Sequence, residues 1–324
     1  MFHKLASAVT LFLVIVPCNA LCAWSEGGHH LIAVLALRQL PREAQIELFR
    51  ILKAHPRYDE DFKPPGVWHE AKTEEQWLIG RAGYWPDIAR SQKEFNRPNW
   101  HYQLGATLVV GDRAKVNVPT TPGELPRDAN LETEDLHIAQ ALELCSKILA
   151  DKSEPDADRA IAICWIAHLV ADAHQPCHAG SLYAESLYPE GDRGANSIKT
   201  KQGKNMHALW DGLLGPRYNT GDVMRRVAEI EGNSSLQIAA ESAVSRPGGK
   251  ECETWLWESR ELATRYVYAQ PVFEPISVAV RSASSELPEI DLPEIYLKDA
   301  GTIARTRAAE AGKRLANVLG DAVQ

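Results

Sequence analysis

The sequence predicts an all-α protein: one mainly helical domain over residues 24–324, with a small β-hairpin near 107–118. Three observations predict it. Apolar residues recur at helical spacing along most of the chain. Only the stretch around Gly111-Asp112 alternates as strands do. No internal repeat or low-complexity tract divides the 324 residues.

The first 23 residues read as a secretory signal, with Lys4 as their only charge, an apolar run from Leu5 to Val16, and Ala23 before a cut at Trp24. Cleavage after Ala20 is the alternative. The apolar run is too short to span a bilayer as a helix. The expectation is a secreted or periplasmic protein with no membrane anchor and no implied protein partner. Removing that segment takes away Lys4 and leaves 34 basic residues against 43 acidic, a net charge of −9. Such a balance argues against general coating of polyanions and against a basic membrane-docking face.

His30 to Leu40 and Arg42 to Lys53 are amphipathic segments divided by Pro41. Residues 73–91 read as one or two helices broken at Trp85-Pro86. Thr107 to Val110 and Lys115 to Val118 form the expected hairpin, and 119–130 is loop. Helices resume at 131–150, 156–174 and 204–214, then near 220–231, 250–269 and 297–318. The glycine-rich segment 179–203 reads as a long loop over a site. Four cysteines follow the leader. If 131–150 and 156–174 pair antiparallel about Ser153-Glu154-Pro155-Asp156, Cys145 faces Cys164 as a candidate disulfide; Cys177 and Cys252 are a second candidate pair.

Within Cys164–His178, His168 and Asp172 are four apart and share one face of an otherwise apolar helix. Pro176 breaks that helix and lets His178 turn back toward them. Buried imidazole and carboxylate need a partner; a divalent metal accepts both, while a core histidine paired with aspartate is the ordinary alternative. His207 and Asp211 repeat the spacing, which favours the metal.

Three more fragments complete a set: Trp24-Ser25-Glu26-Gly27-Gly28-His29, Trp85-Pro86-Asp87-Ile88-Ala89-Arg90, and Trp100-His101-Tyr102. Further on come Trp257-Glu258-Ser259 and Ala311-Gly312-Lys313-Arg314-Leu315-Ala316. In this order and spacing the chain resembles the trinuclear-zinc, single-strand-specific nucleases (the S-one/P-one nuclease family), which share a fold with bacterial zinc-dependent phospholipase C.

The resemblance implies three Zn²⁺ per chain. Trp24, through its free amine and carbonyl oxygen, would hold the first with His29 and Asp172. Asp87, His101 and His168 would hold the second, with Asp172 bridging to it. His178, His207 and Asp211 would hold the third. The implied catalytic set is Arg90, Asp87 and Asp172, with Arg90 on the charge of the phosphoryl group and Tyr102 stacking on a base. Asp192 and Asn196 either steady ligands from behind or merely make a turn. His174 is expected to support rather than ligate, and His30, His55, His69 and His137 to be solvated or locally paired.

The implied activity is hydrolysis of single-stranded DNA or RNA, and of 3′-mononucleotides, leaving 5′-phosphate products. Phospholipase C action on the same cluster, or zinc binding without turnover, are the alternatives. The chain departs from the family at the base pocket, where Leu104 replaces an aspartate that reads the base edge and Gly212 replaces an asparagine.

Overall fold

The computed structural model describes residues 24–64 and 71–324. The leader and His69 lie outside the described residues. In chain order the helices are α1 (Glu26–Leu37), α2 (Arg42–Leu52), α3 (Tyr58–Asp61), α4 (Ala71–Ala89), α5 (Ile138–Ala150), α6 (Asp156–Ala173), α7 (Pro176–Ala179), α8 (Met206–Asp211), α9 (Thr220–Glu231), α10 (Ser234–Ser245), α11 (Cys252–Leu262), α12 (Gln270–Arg281) and α13 (Glu294–Val323). Two short strands, β1 (Gly105–Val110) and β2 (Gly180–Ala184), complete the architecture, which is mainly α as the sequence predicts. Among the described residues no helix is long and apolar enough to cross a membrane.

A helix without a polar face has to be surrounded, and α6 is buried from Arg159 to Ala173. It packs against α2, α4, α5 and α13, with α1 crossing its far end. Asp156 and Asp158 in its first turn suit the positive end of the helix dipole. The large core gathers Trp85, Trp100, Trp165 and Trp255 with the aliphatic faces of these helices. A smaller core, with Trp210, Tyr268 and Tyr296, lies under β2, α8 and α12.

Several expectations need correction. The hairpin near 107–118 does not form. β1 pairs in parallel with β2, Gly105 opposite Gly180 and Val110 opposite Ala184. Gly111, at φ 89°, turns the chain out of the strand, and Asp112 then caps a 3₁₀ turn over Arg113–Lys115 by accepting from the Ala114 amide. Alternation marks a strand but not its partner, which here comes from the segment read as loop. Gly180 has to lack a side chain, because a Cβ there would lie 2.1 Å from Thr107 Oγ1.

α4 is one continuous helix with Pro86 inside its last turn. The helix at 131–150 begins only at Ile138, since the carbonyls of Leu131 and Thr133 accept from Arg97 Nε and Trp100 Nε1 instead. Residues 250–269 divide into α11 and a π-helical turn, Ala263–Val267. The proposed disulfides are absent: Cys145, Cys164, Cys177 and Cys252 are buried free thiols. α5 and α6 do pack side by side, and burial pushes the Cys145 and Cys164 thiols above their ordinary range.

Candidate metal centre

Six elements converge at one place. α1 supplies His29, α4 Asp87, the 3₁₀ turn Pro98–His101 its last residue, α6 His168 and Asp172, and α7 and α8 supply His178, His207 and Asp211. Each side chain arrives for a local reason. His168 and Asp172 share a face of α6, as His207 and Asp211 share one of α8. Pro176 opens α7 at its first helical position, which brings His178 back over the end of α6.

Three groups result, each with ligand atoms within 4.8 Å of one another: His29, His168 and Asp172; Asp87, His101 and His168; His178, His207 and Asp211. Asp172 sits in the middle. Its Oδ1 is 3.6 Å from His29 Nε2, and its Oδ2 is 3.1 Å from His168 Nε2 and 3.5 Å from His101 Nδ1. His207 Nε2 faces Asp211 Oδ2 at 3.5 Å, and His178 Nε2 faces Asp211 Oδ1 at 4.0 Å. The His29 and His168 rings stack 4.2 Å apart.

Backbone carbonyls fix the imidazole tautomers. His168 Nδ1 donates to Gly83 O at 2.8 Å, His178 Nδ1 to His101 O at 2.7 Å, and His207 Nδ1 to Gly194 O at 2.6 Å. With the proton on Nδ1, each ring turns its Nε2 lone pair inward, that of His168 meeting His101 Nδ1 at 2.7 Å, the arrangement that metal-binding histidines adopt. Gly83 lies one residue past Ala82, whose carbonyl Pro86 leaves without a helical donor. Gly194 can approach because it is glycine at φ 61°; a Cβ there would strike Cys177 O at 2.1 Å.

The donor set fits divalent cations. Both oxygens of Asp172, Oδ2 of Asp87 and Nε2 of His101 and His178 are buried without a hydrogen-bond partner, as are both ring nitrogens of His29. Orphaned buried polar atoms are costly, and here they are lone pairs facing one another. Burial, with neighbouring imidazoles adding to it, pushes His29 and His178 well below the ordinary histidine range; burial followed by Arg90 does the same for His101. Burial lifts Asp172 to about 6. His168 differs: against the lowering effect of burial, the Asp172 carboxylate raises it. Imidazoles held neutral at His29, His101 and His178, and a carboxyl that resists ionisation, suit a site completed by positive charge.

Trp24 is fully buried, its Nε1 donating to Ala171 O, and Ser25 donates from both N and Oγ to Asp211 O, so the start of the described chain lies against the site. Arg90 Nε donates to Asp87 Oδ1 at 2.8 Å. Tyr102 lies on His178, ring centres 4.6 Å apart. Asp192 is fully buried and accepts from Ser181 Oγ, Tyr268 Oη and the amides of Leu182 and Ala195. It thereby shapes the loop that presents Gly194 O to His207. Asn196 donates to Arg193 O and meets Asn205, the cap of α8, at 3.4 Å. Leu104 borders Gly194, its Cδ2 3.2 Å from where a Cβ would stand, while a side chain at Gly212 would enter open space.

His174 points away from the groups. Its Nδ1 donates to Val170 O and its Nε2 accepts from Arg314 Nη1, at the edge of a buried network with Glu258, Arg307 and Glu310. His30 and His55 are buried rather than solvated, at 0% and 3% exposure. Aromatic packing against Trp77 and Tyr218, and against Phe62 and Trp85, takes them in. His137 caps α5 and meets Tyr102 O through Nδ1. Sequence reading passed over Gln175, whose buried amide donates to Asp211 Oδ1 at 2.6 Å. A polar residue wedged between ligand positions and a proline was the available signal.

Fold and site together define a mainly helical protein with several His/Asp groups able to bind metal where its elements converge. The S1/P1 Nuclease family profile matches residues 24–324, and the chain belongs to that family. It is similar to Endonuclease 4 and Endonuclease 3 of Arabidopsis thaliana, 26% identical to each over 163 residues. That match covers 49% of this chain and 49% and 50% of theirs, so the chain spans about half the length of the curated relatives it matches.

Proposed function

We propose that the protein is an exported zinc-dependent nuclease. It hydrolyses phosphodiesters of single-stranded DNA or RNA, and 3′-mononucleotides, to leave 5′-phosphate products. The observation that carries this reading is the convergence of buried imidazole nitrogens and carboxylate oxygens in three groups, in a chain of the S1/P1 nuclease family.

Three zincs would be held by Trp24 (amine and carbonyl oxygen after cleavage of the leader), His29 and Asp172; by Asp87, His101, His168 and Asp172; and by His178, His207 and Asp211. Bound zinc supplies a water of lowered pKa and positive charge beside the phosphoryl oxygens. Arg90, oriented by its hydrogen bond to Asp87, shares the charge that develops on the transferring phosphoryl group. Asp87 and Asp172 keep the imidazoles and that charge in register. Tyr102, braced on His178, gives a base a stacking surface, which tolerates any sequence. The apolar Leu104 in the same region offers no donor or acceptor to a base edge, so base preference is weak.

The test assays residues 24–324 on single-stranded DNA, RNA, duplex DNA, 3′-AMP and phosphatidylcholine side by side, with zinc content measured on the same sample. Cleavage of single strands and 3′-AMP, 5′-phosphate ends and three zincs are expected. Ends bearing 3′-phosphate overturn the reading, as do hydrolysis of phosphatidylcholine alone and tight zinc binding with no hydrolysis. A chain carrying one extra residue before Trp24 should lose zinc and activity; equal behaviour removes the amine from the ligand set.

A further inference from the structure

Gln175 occupies the turn between α6 and α7 and is completely buried. Its two side-chain ends do different things. Oε1 accepts from the Cys177 amide at 2.6 Å and caps the single turn that carries His178. Nε2 donates to Asp211 Oδ1 at 2.6 Å, across 36 residues of chain. The amide cannot be reversed, because its carbonyl would then face a carboxylate oxygen and its NH₂ a backbone N–H. The main chain adds a third tie: the Gln175 carbonyl accepts from the His178 amide at 2.9 Å.

Gln175 therefore touches the segment bearing one member of the third group and the side chain of another. The remaining member, His207, lies one turn before Asp211 on α8. Among the described residues no comparable amide reaches the other carboxylates: Asp172 faces imidazoles, and Asp87 is held by Arg90 instead.

The geometry points to Gln175 as a positioning residue that sets the third cation site alone, aiming Asp211 while holding His178 over it. Fixing one carboxylate oxygen by a charge-assisted hydrogen bond leaves a defined face for the cation. Removing a group that orients a metal ligand typically costs about 10- to 100-fold in metal affinity. The inference rests on the three-cation reading proposed above.

Two variants separate aiming from capping. Gln175→Met keeps the volume and removes both hydrogen bonds. Gln175→Asn keeps an acceptor for the Cys177 amide and, one methylene shorter, withdraws the donor from Asp211. Zinc affinities are measured by chelator competition, and thermal melts of the metal-free proteins report the fold. Both variants are expected to bind two equivalents as the parent does and the third about 10- to 100-fold more weakly, and Gln175→Asn to melt close to the parent. A parental third equivalent in Gln175→Asn makes the residue a cap only and overturns the inference. So does equal weakening of all three equivalents, or unfolding of both metal-free variants. A parent that binds fewer than three zincs overturns the three-cation reading and this inference with it; three in the parent, and a third of parental affinity in both variants, overturns this inference alone.

Discussion

A histidine becomes a ligand when something else takes its proton. Gly83, His101 and Gly194 perform that task here by accepting the Nδ1–H hydrogen bond through their backbone carbonyls, and for none of the three is that carbonyl role recognisable in sequence. The spacing of His168 with Asp172 and His207 with Asp211 is legible because helix periodicity converts sequence separation directly into direction. The carbonyl partners are 85, 77 and 13 residues away along the chain, so only the folded structure pairs them. One consequence concerns pH. In the metal-free protein Asp172 is pushed up to about 6 by burial, so below that pH a proton occupies the carboxylate that a cation needs. Cation affinity is expected to rise with pH through about 6, with protons released on binding at pH 5.5. Calorimetry in buffers of different ionisation enthalpy checks this; affinity flat from pH 5 to 8 contradicts it.

At the scale of elements, α6 is held from behind. Glu258 of α11 accepts from Arg307 and Arg314 of α13, Arg314 reaches His174, and Ser259 Oγ donates to Ala173 O. The two guanidinium groups hold Glu258 down at about 2 against the opposing effect of burial. A carboxyl whose folded value is depressed stabilises the fold above its unfolded value, near 4.5, and that contribution is lost as pH falls toward about 2. Glu258→Gln leaves buried arginines undercompensated and is expected to destabilise the metal-free protein by about 3–5 kcal/mol at pH 7. It should also flatten the acid side of the stability profile between pH 4.5 and 2, measured by denaturant unfolding at each pH; a parallel profile contradicts it. Elements escaped sequence reading where tertiary contacts overrode local signals. α10 presents Ile238 to solvent among small polar residues and has little apolar face. α12 carries Pro275 in its interior, which reads as a break. The actual partner of β1 was invisible because it comes from beyond α6, in the segment read as loop, and not from Lys115 to Val118.

Across the whole molecule, α1 and α13 approach closely at Gly312, where a Cβ would stand 2.7 Å from Leu35 Cβ. Neither atom is the end of a flexible side chain, so Gly312→Ala forces the helices apart. It is expected to cost about 1–3 kcal/mol, read from the denaturant midpoint; an unchanged midpoint means that the pair separates freely. The charge balance also has a reach beyond the site. With 43 acidic residues against 35 basic, the net charge repels a polyanion, and the proposed cations would carry the attraction at one point. On that reading, log KM for single-stranded DNA plotted against log salt has a slope of roughly 1, as for one or two phosphates rather than many. A slope of 4 or more indicates an extended binding track.

The parallel pairing of β1 with β2 brings together residues 105 and 180 with α5 and α6 between them. Contacts so remote along the chain are entropically late arrivals when a protein folds. His101 and His178 each sit just ahead of one of these strands, so their meeting waits for this closure. Assembly order follows: refolding monitored by far-ultraviolet dichroism should regain most helix before a zinc indicator shows uptake, and simultaneous recovery would mean that the centre nucleates the fold instead of completing it.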